Sequence, residues 1–196
     1  MSNTSSRNHS PGANTPRNIL VISGSSRPGS LNSQLAGLVA DLRAQDAVTL
    51  VTDLSRLPFY DADLEAGTTP AAVVDLRAAV TAAELVVIVT PEYNGTIPGL
   101  LGNAIDWLSR PRGESTLRDK PLVVLSASPG QHGGTRAAGH LRAVLQRIGA
   151  AVLPTGLSVA EAHHRLSSSS PDPQLVTALS ELLAEALELP AEAMSA

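Results

Sequence analysis

The sequence predicts an α/β three-layer sandwich: a five-stranded parallel sheet of order 2-1-3-4-5 between two layers of helices. Three observations carry this reading. Short continuous apolar runs recur along the chain, as in strands buried on both faces. Segments with apolar residues three and four apart alternate with them five times, and each such segment makes one helical face. Strand–helix alternation of this kind builds a parallel sheet with helices on both sides, and five strands in 196 residues suit this order better than a six-stranded dinucleotide-binding sheet.

Ile19 to Ile22 is the first buried strand, ending at Ser23-Gly24. Leu31 to Ala44 follows as a helix with Leu31, Leu35, Leu38, Val39 and Leu42 on one face. Ala47 to Asp53 is a second strand, and Ser55 to Thr69, broken by Pro58, Gly67 and acidic residues, is a long irregular loop. Pro70 suits the first turn of a helix running to Ala82. Glu84 to Thr90 (ELVVIVT) is the clearest strand, followed by a loop from Pro91 to Pro98 and a helix from Gly99 to Ser109. After a polar connection to Lys120 come a strand from Pro121 to Ala127, a Gly-rich loop, a helix from Thr135 to Ile148 and a short last strand from Ala150 to Pro154. Gly156 to Pro173 is irregular and Ser-rich, and Gln174 to Leu189 closes with a helix. Residues 18–189 read as one domain, with a polar tail at 1–17 and a short tail at 190–196.

Composition removes several classes of function. Cysteine is absent, which excludes disulfides, Cys-ligated zinc, iron–sulfur clusters and a cysteine nucleophile. The one lysine, Lys120, precedes Pro121, so there is no Walker phosphate loop. Four aromatic rings and a net charge of -4 do not fit a nucleic-acid platform. The longest aliphatic run, Leu85 to Val89, is too short to cross a membrane, and Met1 to Arg17 lacks the apolar stretch of an export signal, so the expected location is the cytoplasm.

In open parallel sheets, ligands bind beyond the carboxyl ends of the strands where the strand order reverses. The loops after Ile22, Thr90 and Ala127 meet there. The first runs from a buried strand into a helix, whose start offers backbone N–H groups and a partial positive charge. Ser25, Ser30, the Asn32 amide and the Arg27 guanidinium add donors that can surround a phosphate dianion, although Ser30 or Asn32 could equally cap the helix. Gly24 and Gly29 do not form a dinucleotide fingerprint, so the phosphate belongs to a mononucleotide. The second loop, stiffened by Pro91 and Pro98, presents Glu92, Tyr93 and Asn94 and suits the edge of a flat heterocycle. In the third, Gly130, Gly133 and Gly134 bring backbone close to a neighbour, and His132 reads as a surface residue. The adjacent His163 and His164 are expected to point apart in an exposed loop rather than to hold a metal.

Together these loops resemble those of the NADPH-dependent FMN reductase family, flavodoxin-like proteins that include quinone, chromate and azo-dye reductases. Gly24-Ser25-Ser26-Arg27-Pro28-Gly29-Ser30-Leu31-Asn32 resembles the family's phosphate loop. Pro91-Glu92-Tyr93-Asn94, continuing through Pro98 to Asn103-Ala104-Ile105-Asp106-Trp107-Leu108-Ser109-Arg110, resembles its most specific signature. Gly130 to Arg136 and Leu57 to Leu64 resemble two further segments. The resemblance implies that Ser25, Arg27, Ser30 and Asn32 hold the FMN phosphate. It also implies that Pro91, Glu92, Tyr93 and Asn94 lie along the isoalloxazine, and that Ser126, Gly130, Gly133 and Gly134 line its other side. The implied reaction passes hydride from NADPH (or NADH) through FMN to a quinone-like or other small electrophilic acceptor, in a homodimer or homotetramer, with no catalytic side chain, metal, nucleic acid or membrane involved. An electron carrier or redox-sensing flavoprotein is the alternative; the mild charge and few rings count against it. Gly102 stands where relatives often have Lys, and His132 where many have an apolar residue. Because the four rings fall in two family-like segments, Tyr60, Tyr93 and Trp107 are expected near the flavin pocket or a subunit interface.

Overall fold

The computed structural model describes residues 15–27, 29–166 and 170–194. Its elements are β1 (Asn18–Ser23), α1 (Leu31–Leu42), β2 (Ala47–Val51), α2 (Ala62–Ala66), α3 (Ala71–Ala82), β3 (Leu85–Thr90), α4 (Gly99–Leu108), β4 (Pro121–Ala127), α5 (Thr135–Arg147), β5 (Ala151–Val152), β6 (Leu157–Val159), α6 (Ala162–Arg165), α7 (Pro173–Glu188) and α8 (Ala191–Met194). The sheet is parallel throughout, in the order β2-β1-β3-β4-β5.

The apolar runs become the middle of the sheet because side chains alternate between its two faces. Leu20, Ile22, Val86, Ile88, Leu122 and Val124 pack with α3, α4 and α5 in one core. Ile19, Val21, Leu85, Val87, Val123 and Leu125 pack with α1 and α7 in the other. At the edge, β2 is only half covered, with Leu50 41% exposed. All the crossovers therefore open at one end of the sheet, where the loops after β1, β3 and β4 meet.

Four features differ from the sequence expectations. The loop from Ser55 to Thr69 contains the short helix α2, which starts where the Asp61 carboxylate accepts a hydrogen bond from the Asp63 N–H at 2.8 Å. The last strand is broken. Leu122 pairs with Val152 and Leu125 with Leu157, so the four residues 153–156 lie opposite only two, Val123 and Val124. Pro154, lacking an N–H, sits in the excursion, and β6 then resumes pairing within the stretch expected to be irregular. At the C-terminal end, α8 buries Met194 against the α1/α7 core, so part of the expected tail is packed. At the other end, residues 1–14 of the expected tail lie outside the described residues, but Arg17 is held: its N–H donates to Asp46 at 2.9 Å and its guanidinium pairs with Glu84 at 2.6 Å. Among the described residues no helix is long and apolar enough to cross a membrane.

The aromatic expectation is corrected in part. Trp107 is completely buried, its Nε1 donating to Pro58 O at 2.8 Å, and Tyr60 packs edge-on to it at 5.0 Å. Burying a large ring with its one N–H satisfied makes Trp107 a core residue on α4. It holds the 57–60 loop, together with Asn103, whose Nδ2 donates to the same carbonyl and whose Oδ1 accepts from the Tyr60 N–H.

Candidate functional site

The loop after β1 is built inward. The Gly24 N–H donates to Val89 O at 2.8 Å, and a side chain there would meet Leu101 at 3.0 Å, so the backbone passes tightly against β3 and α4. Ser30 is the helix cap: its hydroxyl accepts from the Ser33 N–H at 3.0 Å and donates to the Ser33 hydroxyl at 2.9 Å. The Ser33 hydroxyl lies 3.0 Å from that of Ser23, forming a short chain of hydroxyls into the sheet. Ser25 is buried, and its hydroxyl accepts weakly from the Arg27 N–H at 3.4 Å. Arg27 itself is exposed and pairs with no carboxylate among the described residues. Pro28 lies outside the described residues.

Asn32 performs a task the sequence did not suggest. Its Nδ2 donates to Ala127 O at 3.0 Å and its Oδ1 accepts from the Ala127 N–H at 2.9 Å. The side chain thus completes the backbone pairing of the last residue of β4 and clamps the first loop to the third. One of its N–H bonds remains for a ligand.

The loop after β3 contains a small hairpin. Tyr93 and Thr96 exchange backbone hydrogen bonds of 3.0 Å across Asn94-Gly95. Both turn residues have positive φ, 54° and 75°, as the favoured two-residue hairpin turn requires. Asn94 is therefore a turn-former and is not among the cleft-lining residues, whereas Tyr93, 53% exposed, lines its edge. The Glu92 carboxylate accepts from the N–H groups of Arg136 and Ala137 at 3.1 and 3.2 Å. These are first-turn donors of α5, so the negative charge sits at the positive end of that helix and ties the second loop to the third.

In the third loop it is Gly133 that brings backbone close to a neighbour, and that neighbour is the β6 strand and its end. A side chain at Gly133 (φ +60°) would meet the backbone of Ser158, Val159 and Ala160 at 2.8 Å. The buried Ser126 hydroxyl lies 2.8 Å from Gly133 O and 2.9 Å from the Ser158 hydroxyl, and Gly134 packs on Ser126. Ser126, Gly130, Gly133 and Gly134 are not among the residues lining the hollow between the three loops. Its third wall is Ala127, Ser128 and Pro129, which the sequence reading missed although they directly follow the β4 end where a ligand is expected.

The cleft formed by these loops has a volume of about 180 Å³. Its other walls are Ser25, Arg27, Ser30, Leu31 and Asn32 from the first loop and Pro91, Glu92 and Tyr93 from the second. Of the twelve residues singled out, the structure brings seven together here. An unpaired guanidinium, two hydroxyls and the start of α1 suit a phosphate dianion. Tyr93 and the rings of Pro91 and Pro129 suit a flat apolar group beside it. The residues present therefore fit a flavin mononucleotide. His132 is exposed, as expected. His163 and His164 are also exposed, but their rings approach to 3.8 Å instead of pointing apart, because α6 is a single short turn. Among the described residues there is no cluster suited to a metal ion.

Comparison with known proteins agrees with this geometry. The family described as NADPH-dependent FMN reductase matches residues 17–164. An NAD(P)H-dependent FMN reductase of Pseudomonas aeruginosa is 41% identical over 127 residues, covering 65% of this chain and 68% of the relative. A quinone reductase of Escherichia coli is 40% identical over 138 residues, covering 69% and 72%. Among solved structures, FerB, a flavoenzyme NAD(P)H:(acceptor) oxidoreductase from Paracoccus denitrificans, superposes with a TM-score of 0.78 at 28% identity, covering 91% of this chain and 98% of that one. Fold, loop geometry and these matches converge: the chain belongs to the NADPH-dependent FMN reductase family of flavodoxin-like oxidoreductases.

Proposed function

We propose that residues 18–189 bind FMN in the three-loop cleft and pass electrons from NADPH or NADH to a quinone-like or other small electrophilic acceptor. The observation that carries this reading is Arg27, an unpaired cation beside the Ser25 and Ser30 hydroxyls and the start of α1, at the end of a cleft walled by all three loops. The relatives named as an FMN reductase and a quinone reductase support the same chemistry. When bound, the flavin supplies the redox chemistry, being reduced by the nicotinamide cofactor and reoxidised by the acceptor.

The protein's own part is positional. Arg27, Ser25 and Ser30 hold the phosphate, with Asn32 keeping the first loop in place through Ala127. Pro91 and Tyr93 bound the flat ring system. Glu92 and the turn at Asn94-Gly95 keep Tyr93 in position, and Ser126, Gly130, Gly133 and Gly134 set the backbone course of the third loop. A dimer or tetramer forms part of the same proposal; Phe59, 82% exposed on a loop pinned by Trp107 and Asn103, gives an apolar surface for it.

Titration of FMN by quenching of its fluorescence tests the phosphate role. Arg27→Ala removes a charge-assisted contact of about 1.5–3 kcal/mol, so the dissociation constant rises about tenfold or more. An unchanged constant refutes the assignment.

A further inference from the structure

The end of the sheet opposite the flavin cleft carries a second cleft, of about 500 Å³, between the loop following α4 and the end of α5. Four arginines line it: Arg110, Arg112, Arg118 and Arg147. No carboxylate does, and none of the four forms an ion pair among the described residues. The chain has only 14 basic residues and a net charge of -4, so this gathering of positive charge runs against its overall balance. Ser109 and Ser115 also line this wall, their hydroxyls donating to the carbonyls of Asp106 and Leu108.

Ordinary structural duties explain part of the cluster. Arg147 closes the last turn of α5, and Arg110 follows the end of α4, lying 5.4 Å from the centre of the Tyr60 ring. Two helix carboxyl ends offset roughly one unit of charge between them. Glu114 and Asp119 belong to the same connecting segment but are not among the residues lining the cleft, so the arginines that face it meet no carboxylate within it. Arg118 is held rather than free-floating, because its stem lies over Gly149, which has φ +87° and leaves room for it. The Arg112 and Gly113 N–H groups donate to no acceptor among the described residues, and Gly113 has φ +95°.

From this arrangement we infer a second binding site, for a small molecule carrying two adjacent phosphates. Guanidinium forks match phosphate oxygens in pairs. Two linked phosphates offer enough oxygens to engage several of these forks at once, which a single carboxylate does not. The cleft opens at the amino ends of β4 and β5, whereas the flavin cleft lies at the carboxyl end of β4; a strand of seven residues separates the two by about 20 Å. The site is thus separate from the flavin phosphate site and independent of the flavin reading.

Calorimetric titration of the FMN-loaded protein with inorganic pyrophosphate tests it. The same titration without FMN should give the same constant for the arginine cleft, so a failure of the flavin reading is distinguishable from a failure of this inference. The expected result is saturable binding of one pyrophosphate per chain, tighter than sulfate or orthophosphate and persisting at an ionic strength of about 0.15 M. The doubly substituted protein Arg112→Gln/Arg118→Gln should bind at least about tenfold more weakly, while Arg56→Gln, an exposed arginine elsewhere, leaves binding unchanged. All three residues are exposed, and circular dichroism checks that the variants fold. Absence of saturable binding overturns the inference. So does equal binding of sulfate, an unaltered constant in the double variant, or an equal loss in Arg56→Gln, each of which means general attraction of anions only.

Discussion

Replacing Asn32 with Ala separates architecture from ligand binding at the cofactor site. The Asn32 side chain is 4% exposed and makes two hydrogen bonds, of 3.0 and 2.9 Å, to the carbonyl and N–H of Ala127. Ala127 is buried at the end of β4, so both of its backbone groups lose their partner. Each buried group left unsatisfied costs about 1–3 kcal/mol. Water entering from the adjacent cleft recovers some of this, so the loss is placed at about 2–4 kcal/mol. For a chain of this size that corresponds to a fall in Tm of roughly 4–16 °C. The assay is thermal or urea unfolding of the flavin-free protein followed by circular dichroism. In that state no phosphate contact exists, and only the clamp is being removed. Stability of Asn32→Ala within about 0.5 kcal/mol of the parent would refute the clamp, returning Asn32 to a role in ligand contact alone.

Two glycine substitutions are expected to act in opposite directions. Gly133→Ala forces a left-handed alanine against the backbone of Ser158 to Ala160 and should destabilise the protein by about 2 kcal/mol or more, whereas Gly139→Ala, in α5 with open space around it, should stabilise it by roughly 0.5–1 kcal/mol; unfolding midpoints decide both. The Glu84 carboxyl is held below the usual carboxylate range by the Asn18 N–H and the Arg17 guanidinium. Its stabilising contribution is complete above the unfolded Glu value and is lost as pH falls through the lowered folded value, because the unfolded chain then binds more protons. Glu84→Gln should therefore flatten the acid limb of a Tm-against-pH curve; an unaltered limb contradicts this.

Different parts of this protein are legible in the sequence for different reasons. β1, β3 and β4 are plain because strands covered on both faces must be apolar at every position, and Ile19-Leu20-Val21-Ile22 can be little else. The broken edge strand is obscure because Ala151-Val152 and Leu157-Ser158-Val159 are too short to show a period, and Pro154 reads as an ending when the chain in fact returns to the sheet. At the site, the phosphate-loop residues are recognisable since their donors are local in sequence. The Asn32 clamp is not, because its partner is 95 residues away and amides serve ligands and backbone equally well. Gly133 illustrates the same limit. Its presence announces a close approach, but only the fold shows that the approach is to β6. Trp107 lies within a distinctive segment, yet the face of α4 that carries it turns toward the core, and its value is in holding the 57–60 loop.

The central claim is that the three-loop cleft holds a flavin that NAD(P)H reduces. Its most direct test is the visible spectrum of the protein reconstituted with FMN, recorded without oxygen before and after adding NADPH or NADH. About one FMN should be retained per chain, the nicotinamide cofactor should bleach the flavin absorbance, and the colour should return when a quinone is added. Failure to retain FMN after reconstitution, or a bound flavin that neither cofactor bleaches, would contradict it.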